Sequence, residues 1–148
     1  MPASIWNPEV RRLLFARLDR LGEDARPAWG SMTAPSMVAH LCDGVKMATG
    51  ELATAPMSSP LGWWPLNVLV MFYLPWPKSA PTAPELLRRT SPSVGAGVQE
   101  LKAELESAVA RGPQARWAVH PAFGPLTHDQ WGRLLHRHVD HHLTQFKV

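Results

Sequence analysis

The sequence predicts an all-α protein, a helical bundle made of four substantial helices and a shorter apolar one. Four segments carry apolar residues at the three- and four-residue spacing of a buried helical face. No run shows the strict apolar–polar alternation of a strand, although residues 115–120 suit a short extended piece. The composition is that of a globular chain, since 45% of the residues are hydrophobic and 18% are charged.

The bulk properties limit the class of protein. A chain of 148 residues can bury roughly 70% of its unfolded surface, so we expect one domain over residues 1–148. The formal charge of +3 and the pI of about 9.5 are mild, and the basic residues are scattered, which argues against a nucleic-acid partner. Cys42 is alone, so no disulfide can form within the chain. The first residues do not resemble a signal peptide, and we expect a cytoplasmic protein.

Capping signals mark the first two helices. The first begins at Asn7-Pro8-Glu9, a cap followed by a first-turn proline and a first-turn acid, and continues to Gly22. The second opens at Thr33-Ala34-Pro35 and ends or loosens at Gly50. His40 lies at the edge of the apolar side of this second helix.

Residues 61–74 form an almost wholly apolar stretch without a charged side chain. About fourteen residues fall short of the roughly 20 that a bilayer requires, so we expect no membrane span. A buried helix is the favoured interpretation, because an interfacial anchor would need a basic polar face. Self-association remains an alternative, since Trp63, Trp64 and Phe72 exceed what one small bundle must bury. The proline-rich strap at residues 75–84 is expected to wrap the outside of the core.

Two further helices complete the prediction. Ser91-Pro92 is expected to cap one that ends at Gly112-Pro113. The last begins at Thr127, which forms a capping box with Gln130, and runs nearly to the end of the chain. Winding it at ~100° per residue places four side chains within ~60° of one another: Trp131, Leu135, His138 and His142. The opposite side carries Arg133, Arg137, Asp140 and Thr144.

Histidines on the buried faces suggest a metal site. His138 and His142 are four residues apart, so their Cβ atoms lie about 5–6 Å apart and their rings can point at a common centre. His40 is the one other histidine expected on a core-facing side of a helix. Three neutral imidazoles leave a bound dication at least one open position, which is typical of a catalytic rather than a structural site. Such an ion makes both hydrolysis and thiol transfer accessible.

The sequence also predicts roles for other residues near these three histidines. Gln145 can orient a ligand ring or donate a hydrogen bond to the open position. His141 is displaced by ~80° from the centre of the buried face, so we expect it in a second shell or at a rim. Trp131 is interpreted as a core aromatic that can also line an apolar substrate pocket. His120-Pro121 is interpreted as a turn rather than a site.

The metal interpretation has an alternative at each position. A solvated, histidine-rich end of a frayed helix explains His138 and His142 equally well from their spacing. A lone core-facing histidine such as His40 is more often hydrogen-bonded to a backbone carbonyl than bound to a metal. Cys42 is interpreted as a core filler, because the pattern places no base near it, and Asp43 as a surface charge.

Five motifs together resemble a known group of proteins. They are Trp29-Gly-Ser-Met-Thr33, Met37-Val-Ala-His40, His120-Pro-Ala-Phe-Gly124, Gln130-Trp-Gly132 and His138-Val-Asp-His-His-Leu-Thr-Gln-Phe146. The sequence is similar to the DinB-like, YfiT-like metalloenzyme superfamily, in a branch without an assigned reaction. The likeness spans nearly the whole chain, and the final motif is its most specific part.

The resemblance implies a four-helix bundle of up-down-down-up handedness, here with an extra short helix and proline-rich loops. It also implies a divalent metal (zinc, nickel or iron) held by one histidine of the second helix and two of the last, which match His40, His138 and His142. Thiol S-transferases among the relatives imply a small-molecule substrate and a low-molecular-weight thiol cofactor, and many members form homodimers. The alternative is a non-catalytic metal-binding or stress-response module.

Overall fold

The computed structural model describes residues 2–78, 80 and 82–148, and over these ranges its regular structure is helical. The α-helices are α1 (Pro8–Leu18), α2 (Ala34–Thr49), α3 (Leu66–Phe72), α4 (Val94–Arg111) and α5 (His128–Gln145). Two 3₁₀ turns, Pro60–Gly62 and Pro84–Leu87, precede α3 and α4. The described residues contain one isolated β-bridge, between His120 and Gly124, and no strand. The all-α prediction is confirmed.

Helix ends follow the capping signals closely. The Asn7 side chain accepts hydrogen bonds from the first turn of α1, which ends at Leu18 rather than continuing to Gly22. Thr33 caps α2, and Gly50 ends it at a φ of 83°, a left-handed conformation that favours glycine. The predicted capping box of α5 is present. Local hydrogen bonds therefore set where these helices start and stop.

The start of α4 differs by two residues from the prediction. Ser93 is the cap, and its side-chain oxygen accepts a hydrogen bond from the backbone N–H of Ala96. Ser91, the predicted cap, is buried instead. Both serines offer the same side-chain oxygen, so tertiary packing decided which of them caps the helix.

The hydrophobic core is built around α2. Twelve of the sixteen residues of α2 are buried, which makes it the central helix. It packs along α4 and also against α5, and α5 in turn contacts α1. The predicted inward side of α5 is inward in the structure, because Trp131 and Leu135 are 1% and 3% exposed. Contact between α2 and α5 brings their histidines together.

Cys42 and Asp43 are neighbours in α2, and the sequence predicts a buried position for the first and an exposed position for the second. Cys42 is buried, and burial raises the pKa of its thiol to about 12. It therefore stays a protonated core residue, as expected. Asp43 is not the predicted surface charge, since it is 4% exposed and lies 2.7 Å from a guanidinium nitrogen of Arg89. A buried carboxylate needs such a partner, and the partner lies 46 residues away in sequence.

The apolar stretch 61–74 departs most from the prediction. Only Leu66–Phe72 is helical, and Met71 is the single buried residue of that helix. Trp63 and Trp64 are 74% and 81% exposed. The buried-helix interpretation is therefore wrong, because prolines limit the helix to seven residues and the other helices already fill the core. No helix among the described residues has the length and apolarity to cross a membrane.

Two arginines of α5 hold α3 against α5, although both were predicted to face away from the core. Arg137 donates hydrogen bonds to three carbonyl oxygens at the end of α3, those of Val70, Met71 and Leu74. The guanidinium of Arg133 lies 3.9 Å from the ring centroid of Phe72. Carbonyls at a helix end lack helical partners, so Arg137 supplies the donors that α3 needs.

The proline-rich strap contributes to the interior as well as to the surface. Ser79 and Pro81 lie outside the described residues. Ala83 is buried, and Trp76 packs against the rings of His138 and His141 of α5. The strap therefore forms one wall of the region where the histidines meet.

Candidate metal centre

Helices α2 and α5 bring three histidine rings together. His40 comes from α2, and His138 and His142 come from successive turns of α5. The Nε2 atoms of His40 and His138 are 2.9 Å apart, and one ring nitrogen from each of the three lies within 4.8 Å of the others. Two nitrogens bound to one ion at about 2.0–2.1 Å can be at most about 4 Å apart, which the 2.9 Å pair satisfies. This group can hold a metal ion.

A backbone carbonyl fixes the tautomer of His40. Its Nδ1 lies 3.0 Å from the carbonyl oxygen of Leu86. A carbonyl oxygen only accepts, so Nδ1 carries the proton and donates it. The Nε2 atom, which faces His138, therefore presents a lone pair. A hydrogen bond to a carbonyl and a role as metal ligand are thus compatible, since ligating histidines usually have such a partner.

Gln145 fixes the tautomer of His142. The Gln145 amide nitrogen donates to the carbonyl oxygen of Trp29 at 2.9 Å, so its Oε1 faces His142 Nδ1 at 2.7 Å. Because Oε1 only accepts, Nδ1 of His142 carries the proton and Nε2 presents the lone pair. Gly30 has a φ of 77°, and a Cβ there would lie 3.1 Å from the Gln145 amide nitrogen. A glycine next to Trp29 therefore leaves room for this hydrogen-bonded chain.

Close packing positions His138. A Cβ added at Gly44 of α2 would lie 3.2 Å from Cε1 and 3.3 Å from Nδ1 of the His138 ring. On another side, the ring centroid of Trp76 lies 6.2 Å from that of His138. The bare backbone at Gly44 thus allows the ring to approach α2 closely enough for its Nε2 to face that of His40.

Burial keeps the three rings neutral. It lowers the pKa of His40, lowers that of His138 well below its usual value, and lowers that of His142 to about 3. Neighbouring imidazoles add to the effect on His138 and His142, because a second positive charge beside the first is unfavourable. Metal binding requires the neutral form, so at neutral pH no imidazolium has to lose a proton before an ion binds. Because His40 Nε2 accepts, the proton in the 2.9 Å hydrogen bond between the two Nε2 atoms belongs to His138, and it has to move to Nδ1 when Nε2 binds an ion.

The three rings border a cavity of about 790 Å³. Most of the lining is apolar and includes Met32, Met47, Met57, Trp76, Leu86 and Phe123. His138 and His142 are only partly buried, since part of each ring borders this space. A cavity of this volume is large enough for a small molecule.

The other predicted residues have distinct places. Gln145 is a hydrogen-bond partner of the His142 ring, and Trp131 is a buried aromatic residue in the cavity lining. His141 also lines the cavity, with its ring centroid 5.3 Å from that of His142. In the described part of the chain His141 makes no hydrogen bond to the three rings, so its position is at the rim.

Several groups that shape this site were not predicted from the sequence. The carbonyl oxygens of Leu86 and Trp29 carry no sequence signal, because every residue has one. Gly44 did offer a signal, since a glycine inside a helix, four residues after His40, indicates a close approach. His120 forms the predicted turn, yet its ring lines the same cavity.

Comparison with known proteins gives one result. Residues 15–148 match a family model described as a protein of unknown function, DUF1569. The match includes all of α2, α3, α4 and α5, and with them the three histidines. No curated protein and no solved structure matches the chain.

Proposed function

The chain belongs to the DUF1569 family, and we propose that it is a metal-dependent enzyme of small-molecule metabolism whose divalent ion is held by His40, His138 and His142. One observation carries the proposal. The hydrogen bonds of His40 and His142 leave the lone pair of each ring on Nε2, and ring nitrogens of all three residues converge. Zinc, nickel and iron all accept imidazole ligands.

A catalytic role is favoured over a structural one. Structural zinc is normally closed by four protein ligands. Within the ranges that the structure describes, the group contains three histidines and no thiolate or carboxylate. The site also borders a cavity of about 790 Å³, for which a purely structural ion would have no use. A non-catalytic metal-binding module is therefore the second choice.

The cavity lining and the family resemblance together support thiol transfer over hydrolysis. A bound divalent ion would lower the pKa of a thiol or a water next to it. The methionine and aromatic side chains of the lining favour an apolar electrophile, which suits the thiol S-transferases that the family resemblance implies. We therefore propose a thiol S-transferase-like reaction with a low-molecular-weight thiol. A reducing cytoplasm, expected from the single cysteine, would keep this thiol reduced.

The likeness to the DinB-like superfamily supports the same reading. We infer that the helices are arranged as in its up-down-down-up bundle, because one ligand comes from α2 and two come from α5, as the resemblance implies. The small-molecule substrate and the low-molecular-weight thiol are likewise proposed.

Elemental analysis tests the ligand set. His138→Ala and His142→Ala are each expected to abolish stoichiometric metal in the purified protein, while helical circular dichroism stays largely intact because the apolar core does not depend on the ion. His136→Ala is the matched control, since this histidine of α5 lies beside α1 and not in the cavity. Metal retained in both ligand variants would refute the assignment.

A panel of low-molecular-weight thiols with electrophilic acceptors tests the reaction. We expect thiol consumption by the metal-loaded protein and a much lower rate after chelation. Equal rates with and without metal would exclude the metal-dependent transferase. A protein that binds metal stoichiometrically and yet turns over no thiol or ester substrate would instead support the non-catalytic module.

A further inference from the structure

His120 borders the cavity without belonging to the three-histidine group. It lies in the connection between α4 and α5, where His120 and Gly124 exchange two backbone hydrogen bonds of 3.0 Å. Its ring packs against Phe123 and Trp131, with centroid distances of 4.7 and 5.6 Å. The turn and these aromatic neighbours fix the orientation of the ring.

Two backbone N–H groups fix its tautomer. The amide nitrogens of Ala122 and Phe123 each lie 3.1 Å from His120 Nδ1. A backbone N–H only donates, so Nδ1 must accept and the ring proton must reside on Nε2. Burial lowers the pKa of His120 to about 4, so the ring stays neutral near pH 7. His120 is therefore a fixed hydrogen-bond donor at Nε2.

That donor has no partner among the described residues, and it belongs to a residue of the cavity lining. Within the described part of the chain, Nε2 of His120 makes no hydrogen bond. Fully buried side-chain nitrogens without a partner in that part of the chain include Nε1 of Trp131 but not Nε2 of His120. The space that the residue borders is the cavity.

We propose that His120 donates a hydrogen bond from Nε2 to an oxygen of the molecule bound in the cavity, and that this molecule is a small aromatic or apolar compound bearing a carbonyl or carboxylate group. The inference deepens the proposed function and rests on it for the identity of the site as a substrate site. His40 and His142 present lone pairs, whereas His120 presents a proton. The lone pairs of His40 and His142 can therefore bind a cation, whereas the Nε2 proton of His120 can bind an acceptor oxygen.

Selectivity follows from the surroundings of this donor. A polar group left unpaired in an apolar site is costly, so a ligand without an acceptor at this position binds less well. Phe123 and Trp131 beside His120 supply apolar contact for the rest of the ligand. Lys78, which also borders the cavity, would favour the carboxylate over the neutral carbonyl. His120 is thus a specificity-determining residue.

Nitrogen NMR on the metal-free, ¹⁵N-labelled protein tests the donor directly. We expect His120 to show a protonated Nε2 and an unprotonated Nδ1 throughout pH 5–8. Titration with benzoate or benzamide should shift the Nε2 resonance saturably, and stronger binding of one probe identifies the charge of the preferred oxygen group. A proton on Nδ1, or no saturable binding of either probe, would overturn the inference.

A matched substitution isolates the donor. His120→Asn keeps an oxygen that can accept from the two backbone N–H groups, but it replaces the Nε2 donor by an amide N–H on a shorter side chain, which does not reach the same point. We expect probe affinity to fall about tenfold, with the melting temperature and the metal stoichiometry unchanged. His136→Asn makes the same change outside the cavity and should bind the probe as the native protein does.

The outcomes separate this inference from the proposed function. Unchanged probe affinity in folded His120→Asn would overturn the role of His120, even if the protein binds metal and transfers thiols. Lack of metal binding by the native protein would refute the metalloenzyme proposal, while saturable, His120-dependent probe binding would still support the donor.

Discussion

Hydrogen-bond partners decide what each histidine can do. His40 and His142 donate from Nδ1 to oxygens that only accept, so their Nε2 lone pairs are available to a cation. His120 accepts at Nδ1 from two backbone N–H groups, so its Nε2 can only donate. The same side chain can therefore present a lone pair or a proton at Nε2, according to the backbone and amide groups beside it.

Gln145 is the partner whose removal should be most informative. Gln145→Leu leaves the Nδ1 proton of His142 without an acceptor, so we expect metal affinity to fall about 10- to 100-fold with stoichiometry preserved. Gln145→Glu retains an acceptor and should lose less. Competition with a chromophoric chelator measures both, and Thr144→Ala, an exposed neighbour on α5, is the control. Native affinity in Gln145→Leu would show that the ring needs no such support.

At the scale of elements, the contact between α2 and α5 determines the site. Gly44 is buried in the middle of α2, where glycine costs roughly 0.5–1 kcal/mol relative to alanine. The close approach of the His138 ring explains why this cost is tolerated. The same contact places His40 of α2 beside His138 and His142 of α5, so the spacing between the helices sets the spacing between the ring nitrogens.

Gly44→Ala should weaken metal binding. The new Cβ would press on Cε1 and Nδ1 of His138 at 3.2 and 3.3 Å, so the ring must shift by a few tenths of an ångström and its nitrogen must move with it. We expect metal affinity to fall several-fold in a chelator competition assay. In α4, Gly95→Ala meets only Glu23 at 3.8 Å, and it should leave metal binding unchanged. Equal affinities in the two variants would contradict the packing argument.

At the scale of the whole molecule, burial affects the histidines together. Six of them have a lowered pKa, with burial as the largest cause: His40, His120, His136, His138, His141 and His142. In the unfolded chain such rings take up protons near pH 6.5. Below that pH the unfolded state therefore binds more protons than the folded state, and the free energy of unfolding falls.

Acid should destabilise the metal-free protein before its carboxylates titrate. We expect the urea midpoint to drop between pH 7 and pH 5, because burial lowers the pKa of these rings and they therefore bind protons less readily in the folded protein than in the unfolded chain. His120→Asn removes one of them and should reduce the slope. Urea unfolding at pH 7.5, 6.5, 5.5 and 5.0 measures the effect, and a constant midpoint over this range would contradict it.

The exposed face of α3 and its flanks predicts association. Six large apolar side chains are exposed there: Trp63, Trp64, Leu66, Leu69, Tyr73 and Leu74. Residues 52–77 contain no charged side chain. Exposed apolar patches of this kind mark interaction surfaces, and the absence of a basic polar face in this segment disfavours lipid as the partner. We expect a second copy of the chain to cover this face.

Sedimentation tests this expectation. The native protein should be dimeric at micromolar concentration, and the double variant Trp63→Ser, Trp64→Ser should be monomeric with its helical content unchanged. Leu13→Ser removes an exposed apolar residue of α1 and should leave the dimer intact. A monomeric native protein would refute the homodimer, and co-sedimentation of that monomer with liposomes would assign the face to a membrane surface.

The sequence by itself determined the features that depend on neighbours along the chain. Caps at Asn7, Thr33 and Thr127 positioned three helices, because a cap acts on backbone groups within one turn. The helical period placed His138 and His142 on one side of α5, and His40 near the apolar side of α2. The all-α class followed from the same periodicity. These interactions are local, so no knowledge of the fold was needed.

Only the tertiary structure decided which helix covers which face. A helical wheel gives an angle about one axis, so it could not show that α3 would stay exposed or that Arg137 would turn to α3. Nor could it supply the carbonyls of Leu86 and Trp29 or the cavity that His120 borders. Each of these depends on a contact between residues far apart in sequence, and the chain must already be packed before such a contact exists.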